Sequence, residues 1–327
     1  MTPRSEPAPR SDAALLDVRD LVVPAVGRRR LRRARTVALD GVSLQVHRGE
    51  TYGVVGESGS GAVDLARAIA TPATRTAGEV RLDGVDVGDM DAPQRRRRIR
   101  TLRPGHEHAT VAGLLAEEMR SAGLPEPDDA GLRELVAVVE LPDGVLRRGT
   151  QELTDGERRR VDVARALCTG PDLLVADDPV AGLDVTVAAQ LLDLLGRVKA
   201  ERGLACLLVA RDLGVVRHLS DRVGVLYRGR IVEESPARAL YRGPRHPYTR
   251  ALLSAVPVPD PEVEDRRERI LLTGDPPLPA DPARGCAFQP RCPWRRPERC
   301  ADEHPPLRTV GTAGHLAACH YAEEIDG

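Results

Sequence analysis

A glycine loop between a predicted strand and a predicted helix constrains the fold of this chain more than any other feature. Residues 56–61 read Gly-Glu-Ser-Gly-Ser-Gly, after the apolar segment Thr51–Val55 and before a helical pattern over residues 65–70. Strand, glycine loop and helix in this order are the setting of a phosphate-binding loop, whose pattern is G-x-x-x-x-G-K-[ST]. The alternative is a plain strand-to-helix turn that binds nothing.

The side chains that would contact phosphate and magnesium are replaced. Ala62 stands at the lysine position, Val63 at the position of a magnesium-binding hydroxyl, and Asp64 adds a negative charge next to them. The missing lysine contact is a charge-assisted hydrogen bond worth about 1.5–3 kcal/mol. Backbone N–H groups and a helix N-terminus would still face a phosphate. The nucleotide-binding candidates here are Gly56, Ser58, Gly59, Gly61, Ala62, Val63 and Asp64.

The rest of the chain predicts an α/β fold. Short apolar strands, such as 173–176 and 205–209, alternate with helical patterns such as 156–167 and 185–199. This alternation is typical of a largely parallel sheet. Residues 111–139 are also helical in period, interrupted by Pro125 and Pro127, and Cys168 and Cys206 lie in apolar surroundings that indicate core thiols.

Composition excludes several classes of function. With 327 residues the chain can bury a large core, and a net charge of −1 gives no bulk electrostatic argument for nucleic acid. No apolar run of about 18 residues predicts a membrane span. The N-terminus lacks a signal-peptide pattern, so we expect a cytosolic protein with a disordered tail at 1–13.

Further motifs follow the glycine loop in a fixed order. Residues 153–157 read Leu-Thr-Asp-Gly-Glu before a helix, 173–178 form an apolar run ending in Asp-Asp, and 181–184 read Ala-Gly-Leu-Asp. In order and spacing, residues 15–235 resemble the ATP-binding-cassette (ABC) ATPases. The resemblance implies a P-loop NTPase core that binds ATP and magnesium and contains a helical subdomain.

The same resemblance implies roles for the acidic motifs. Asp177 would hold magnesium through water, Asp178 would replace the glutamate that polarises the attacking water, and Asp184 belongs to the D-loop. Because aspartate is one methylene shorter, its carboxylate lies roughly 1–1.5 Å back, and misplacement on that scale can cost about a hundredfold in rate. Arg211 replaces the switch histidine: it can bind phosphate but cannot shuttle a proton near neutral pH. The family's Q-loop glutamine is missing near residues 102–106. Without the resemblance, 173–178 could be a strand ending in a solvated turn.

The signature motif carries an unusual acid. In the family the signature of one subunit covers the γ-phosphate bound by the other, which would place Thr154, Asp155 and Gly156 at that phosphate. Asp155 stands where the family has glycine and would repel it. An alternative explanation is local, because Thr or Asp at this point is a favourable helix N-cap worth about 1 kcal/mol. Both explanations can hold together.

The proline-rich C-terminal segment has a different character. Residues 246–253 and the spacing of Cys286, Cys292, Cys300 and Cys319 resemble the extension of oligopeptide and dipeptide importer ATPases. The resemblance implies a [4Fe–4S] cluster on the four thiolates, with zinc as the main alternative, free thiols next, and disulfides least expected in the cytosol. We expect this segment to lack a conventional core and to need such a staple.

Together these patterns predict three parts: the tail at 1–13, an ABC nucleotide-binding domain at 14–240 with a helical subdomain at about 103–165, and the cysteine-containing extension at 241–327. The expected function is an ATP-binding subunit of a peptide importer, with weak or lost hydrolysis. It would lie on the cytoplasmic face of the membrane against permease subunits. It would pair with a second ABC ATPase and, indirectly, with a peptide-binding protein. The alternatives are a non-hydrolysing scaffold or regulator with an iron–sulfur site, and a slow but true ATPase.

Overall fold

The computed structural model of the chain describes residues 13–25, 37–102, 110–256, 269–270, 272, 285–311 and 314–325. The tail predicted at 1–13 lies outside this range except for Ala13. Within the described residues, no helix is both long enough and apolar enough to cross a membrane.

The secondary structure alternates as the sequence indicates. The strands are β1 (Leu16–Pro24), β2 (Val37–Val46), β3 (Thr51–Val55), β4 (Ala77–Leu82), β5 (Val85–Asp86), β6 (Ile99–Leu102), β7 (Leu173–Asp177), β8 (Ala205–Ala210), β9 (Arg222–Tyr227), β10 (Arg230–Pro236), β11 (Arg308–Thr309) and β12 (Leu316–Ala317). The helices are α1 (Ala62–Ala70), α2 (Ala92–Arg98), α3 (Val111–Ser121), α4 (Asp129–Val138), α5 (Asp155–Leu167), α6 (Val185–Arg202), α7 (Leu213–Leu219), α8 (Ala237–Arg242), α9 (Pro247–Ser254) and α10 (Pro297–Asp302).

An eight-stranded sheet forms the centre of the molecule, in the order β11-β12-β10-β9-β3-β8-β7-β6. The five strands from β9 to β6 are parallel neighbours, and β10, β12 and β11 continue the sheet with antiparallel pairing. β3 and β8 are buried along their whole length, as expected for parallel strands covered on both faces. The predicted α/β fold is confirmed. A second, four-stranded antiparallel sheet, β2-β1-β4-β5, lies beside the first and was not anticipated as a separate layer.

Two apolar clusters cover the opposite faces of the large sheet. Val54 and Leu207 belong to one cluster, whereas their chain neighbours Val55 and Leu208 belong to the other. This alternation follows from the two-residue period of a strand. The predicted core thiols are indeed buried, and burial raises the pKa of Cys168 to about 11 and that of Cys206 to about 12.

Helices α3, α4 and α5 each begin with a side-chain cap. Thr110, Asp128 and Thr154 accept hydrogen bonds from the backbone N–H groups of Gly113, Gly131 and Glu157, respectively. Such caps satisfy N–H groups that have no partner within the helix. The prolines break the helical pattern as predicted, since α3 ends before them and α4 begins after them.

The C-terminal extension is part of the main core, so the expectation that it lacks a conventional core was wrong. β12 pairs with β10 and continues the large sheet. Tyr248 and Phe288, both fully buried, join the apolar cluster that contains Tyr227 of β9. The ring centroids of Tyr227 and Tyr248 are 4.5 Å apart, and Phe288 meets Tyr227 edge-on at 5.3 Å. Aromatic residues are only 2% of the chain, and the sequence alone did not show that they would gather here.

A buried carboxylate fastens this extension to the sheet. Glu233 of β10 is fully buried and accepts hydrogen bonds from the backbone N–H groups of Arg245 and His246, at 2.6 and 2.9 Å. Its side chain also meets Nε2 of the buried His315 at 2.7 Å. Both carboxylate oxygens therefore contact segments that follow β10 in the chain.

The free energy of unfolding is expected to fall as the pH is lowered, because the buried His246 resists protonation in the folded chain. The ring is buried and its Nδ1 accepts the Tyr248 N–H, which caps α9. Burial lowers its pKa from 6.5 to about 4. Since the unfolded chain binds this proton more readily, the stability present above pH 6.5 should fall by about 1.4 kcal/mol per unit between roughly pH 6.5 and 4.

Urea unfolding at several pH values measures this slope in the native chain and in His246→Asn, whose side-chain oxygen can still cap α9. The variant should have a shallower slope over that range. Equal slopes in the two proteins would exclude His246 as the source.

Candidate functional site

The glycine loop has the shape of a phosphate loop, and its glycines are sterically required. A Cβ at Gly56 would lie 2.3 Å from the Leu226 carbonyl oxygen, and one at Gly61 would lie 2.4 Å from that of Ala38. Gly61 also has φ +105°, in the region that side chains rarely adopt. The loop is closed by the Ser60 N–H, which donates to the Glu57 carbonyl at 2.9 Å. The plain-turn alternative does not need this close packing.

The first turn of α1 contains the replaced side chains. Val63 is 47% exposed and offers no oxygen to a metal. Asp64 lies 3.7 Å from Arg67, one turn further along the helix. Gly61, the cap residue, contributes no side-chain hydrogen bond. The backbone of the loop therefore has the shape of a phosphate loop, while the first turn of α1 contains Ala62, Val63 and the paired carboxylate of Asp64.

The acidic motif lies at the same sheet edge. Asp177 ends β7, and β8 separates β7 from β3, so the segments that follow all three strands meet at the carboxyl edge of the parallel strands. This edge is where open α/β sheets bind ligands. Asp178 has φ +47°, and its N–H donates to the Val209 carbonyl at 2.7 Å.

The two residues predicted at catalytic positions bind each other. Nη2 and Nε of Arg211, which follows β8, donate to one carboxylate oxygen of Asp178 at 3.0 and 3.2 Å. The arginine side chain is 70% exposed and the aspartate 24%. The sequence interpretation gave the two residues separate roles, towards water and towards phosphate. The signal it missed was that opposite charges follow neighbouring parallel strands.

The signature motif forms the start of α5. Thr154 is the N-cap and forms a capping box with Glu157. Asp155 is therefore not the cap; its side chain is 80% exposed and lies 3.4 Å from Arg158. Added carboxylates in the first turns of α1 and α5 thus each have an arginine three residues later.

A cavity of about 560 Å³ opens beside this motif. Its lining includes Thr154, Asp155, Gly156 and Asp184, the N-cap of α6. Among the described residues that line this cavity, none belongs to 56–64, so this particular cavity is not shared with the glycine loop. The family's Q-loop glutamine was predicted to be missing near residues 102–106. Of these, Leu102 ends β6, and 103–106 lie outside the described residues.

The four C-terminal cysteines line one small cavity. Cys286, Cys292, Cys300 and Cys319 surround about 20 Å³ of space together with the buried Phe288. Burial raises the pKa of the Cys292 thiol to about 12 and that of Cys319 to about 11. In the part of the chain that the structure describes, no group of three or more His, Cys, Asp or Glu side chains is arranged to hold a metal ion. The donor set suits a thiolate-bound metal group, while the arrangement seen is that of free thiols, buried at Cys300 and half-buried at the other three.

The glycine loop also contacts the extension, which the sequence did not indicate. The Glu57 N–H donates to the Tyr248 hydroxyl oxygen at 2.9 Å. The Glu57 carboxylate accepts two hydrogen bonds from the guanidinium of Arg291, at 2.9 and 3.2 Å. The second residue of the loop is thus held by α9 and by the segment that carries the cysteines.

Comparison with known proteins identifies two matching families. Residues 39–181 match the model of the ABC transporter family, and residues 232–300 match that of the oligopeptide/dipeptide transporter C-terminal region. The putative oligopeptide transport ATP-binding protein YkfD of Bacillus subtilis is 40% identical over 300 residues, 88% of this chain and 91% of that protein. The oligopeptide transport ATP-binding protein OppF of Salmonella typhimurium is 39% identical over 295 residues, 86% of this chain and 87% of that protein.

Solved structures support the fold. The ATP-binding cassette MJ0796, solved as a dimer with ADP and phosphate, superposes with a TM-score of 0.60 at 23% identity, covering 68% of this chain and 99% of that one. CbiO1 of Clostridium perfringens gives a TM-score of 0.59 at 22% identity, covering 70% and 91%. At these identities the likeness supports the ABC ATPase fold alone.

Proposed function

Because the chain belongs to the ABC transporter family of oligopeptide transport ATP-binding proteins, we propose that it is the ATP-binding subunit of a peptide import system whose own nucleotide site no longer hydrolyses ATP. Relatives that are about 40% identical and align over most of their length are described as oligopeptide transport ATP-binding proteins. The proposal adds to it the loss of hydrolysis.

The ion pair between Asp178 and Arg211 supports the proposed loss of hydrolysis. ATP hydrolysis depends almost entirely on positioning and electrostatic stabilisation of the transferred phosphoryl group. A carboxylate that polarises water must be free to accept its proton, yet this one accepts two hydrogen bonds from a guanidinium. The guanidinium, in turn, is directed at a carboxylate instead of a phosphate. Ala62 stands in place of the lysine that would bring a cation to the phosphate.

Partners follow from the family and remain proposals. We expect a pair of membrane permease subunits, a second ABC ATPase that forms a heterodimer with this chain, and indirect contact with a peptide-binding protein. The chain would lie on the cytoplasmic face of the membrane without entering it. An intact second ATPase would supply the turnover.

One observation favours a second candidate, a non-hydrolysing scaffold or regulator. Asp155 is 80% exposed in the signature motif, where it would approach the γ-phosphate held by a partner. Such an acid also disfavours turnover in the partner's site, so both sites of a heterodimer would be weakened. Co-purification with its permease pair distinguishes the two, because an importer subunit binds the permeases and a scaffold that has left the transporter does not.

Isothermal titration with ATP and magnesium tests the loss of hydrolysis, with phosphate release followed in parallel. We expect an affinity weaker than about 1 mM and no magnesium-dependent release. Micromolar binding with magnesium-dependent turnover would instead identify a working ATPase and overturn the proposal.

For the four cysteines we propose a [4Fe–4S] cluster, with zinc as the alternative. The support is that four thiols share one cavity, which is the donor set of both groups. When bound, either group would cross-link the extension. Anaerobic purification with metal and sulfide analysis tests this. Broad visible absorption with iron and sulfide is expected, and a colourless, metal-free protein contradicts it.

A further inference from the structure

The contact between the glycine loop and the extension is built from partly buried charges. The side chain of Arg291 is 10% exposed and that of Glu57 23%. Their two parallel hydrogen bonds form the bidentate geometry that makes an arginine–carboxylate pair both strong and directional.

The loop is held at its backbone as well as at its side chain. The Glu57 N–H donates to the Tyr248 hydroxyl, and the Glu57 carbonyl accepts the Ser60 N–H that closes the loop. Two segments of the extension thus fix the residue that begins the loop after Gly56. The backbone groups that would surround a phosphate take their direction from this residue.

On its other side, Arg291 is joined to the cysteine-lined cavity. It ends the short 3-10 turn Gln289–Arg291, its N–H donates to the carbonyl of the buried Phe288 at 3.0 Å, and the next residue is Cys292. Cys292 and Phe288 both line the cavity. A shift of the cavity wall must therefore move the backbone that carries the guanidinium, because tightly packed interiors transmit strain.

We propose that Arg291 is a positioning residue that couples the cysteine-lined cavity to the glycine loop, so that the state of the cavity sets the order of the loop. Coupling between two sites is reciprocal, so a change at the loop also reaches the cavity. The coupling depends on neither nucleotide hydrolysis nor the identity of any metal group, and thus stands apart from the proposed function.

Hydrogen exchange of the full-length protein tests the positioning role. Arg291→Met should raise amide exchange at residues 57–61 about tenfold or more, because two charge-assisted hydrogen bonds are lost. Arg291→Lys, which keeps the charge, should recover part of the protection. Arg295→Met, the same change at an exposed position of the same segment, should alter exchange by less than about twofold.

A change confined to 57–61 distinguishes positioning from general destabilisation, which would raise exchange in β8 and α6 as well. Unchanged loop exchange in Arg291→Met, or a rise of equal size throughout the chain, overturns the positioning role.

A double-mutant cycle tests the coupling. Cys319→Leu adds bulk to the small cavity from a position just after β12 and remote in sequence from Arg291, and overpacking of this kind shifts neighbouring groups. In the native background it should change loop exchange about threefold, and in the Arg291→Met background it should change nothing further. An equal effect in both backgrounds, or none in the native one, contradicts the coupling.

Discussion

ATP affinity is expected to rise at least about a hundredfold in the triple variant Ala62→Lys, Val63→Ser, Asp64→Asn, whereas Ala62→Lys alone should leave it nearly unchanged. The single variant regains a cation, but the magnesium-binding hydroxyl is still missing and the first turn of α1 still carries a carboxylate. The triple variant adds the hydroxyl and removes the negative charge, while the glycine loop that positions the backbone is already built.

Isothermal titration with ATP and magnesium measures both variants against the native chain. Val63→Ser, Asp64→Asn without the lysine is the matched control and should bind little better than the native protein. Strong binding by Ala62→Lys alone would show that Asp64 and Val63 do not block the site. A triple variant that still fails to bind would place the defect outside the first turn.

Phe288→Ala is expected to lower the free energy of unfolding by about 3–5 kcal/mol, the range for truncating a buried aromatic side chain. The ring is 1% exposed and contacts Tyr227, Tyr248 and His246. It is the chain's single phenylalanine. Its loss leaves a cavity between β9, α9 and the cysteine segment, all within one core.

Urea unfolding of the full-length variant gives the magnitude. Leu307→Ala removes an apolar side chain of the same extension that is 37% exposed, and it should cost less than about 1 kcal/mol. A cost below about 1 kcal/mol for Phe288→Ala would show that the extension folds independently of the main core.

Local patterns predicted the elements well, and pairings between distant residues escaped them. Strand, glycine loop and α1 could be predicted because a short apolar run stops at Gly56 and a helical pattern follows Gly61. The cap of α5 was predicted as Thr154 or Asp155, and the competing hydrogen bond of Glu157 decides for threonine. β2 runs from Val37 to Val46, because its pairing with β1 continues along this length.

The ion pairs of the candidate site could not be predicted in the same way. Glu57 and Arg291 are 234 positions apart, and no periodicity relates them. Asp178 and Arg211 meet only because β7 and β8 are neighbours in the sheet. Residue types therefore indicated the kind of site. The partners that neutralise its charges depend on which strands and segments are neighbours in the fold, which the sequence patterns do not show.

The pairing of β12 with β10 has a consequence for the boundary predicted at residue 240. A chain ending there would leave the outer backbone groups of β10 without partners and would expose the face of Tyr227 that Phe288 covers. An open strand edge beside apolar surface is a template for aggregation. The extension therefore closes a strand edge that could otherwise pair with another chain, so removing β12 should promote aggregation of the remaining fold.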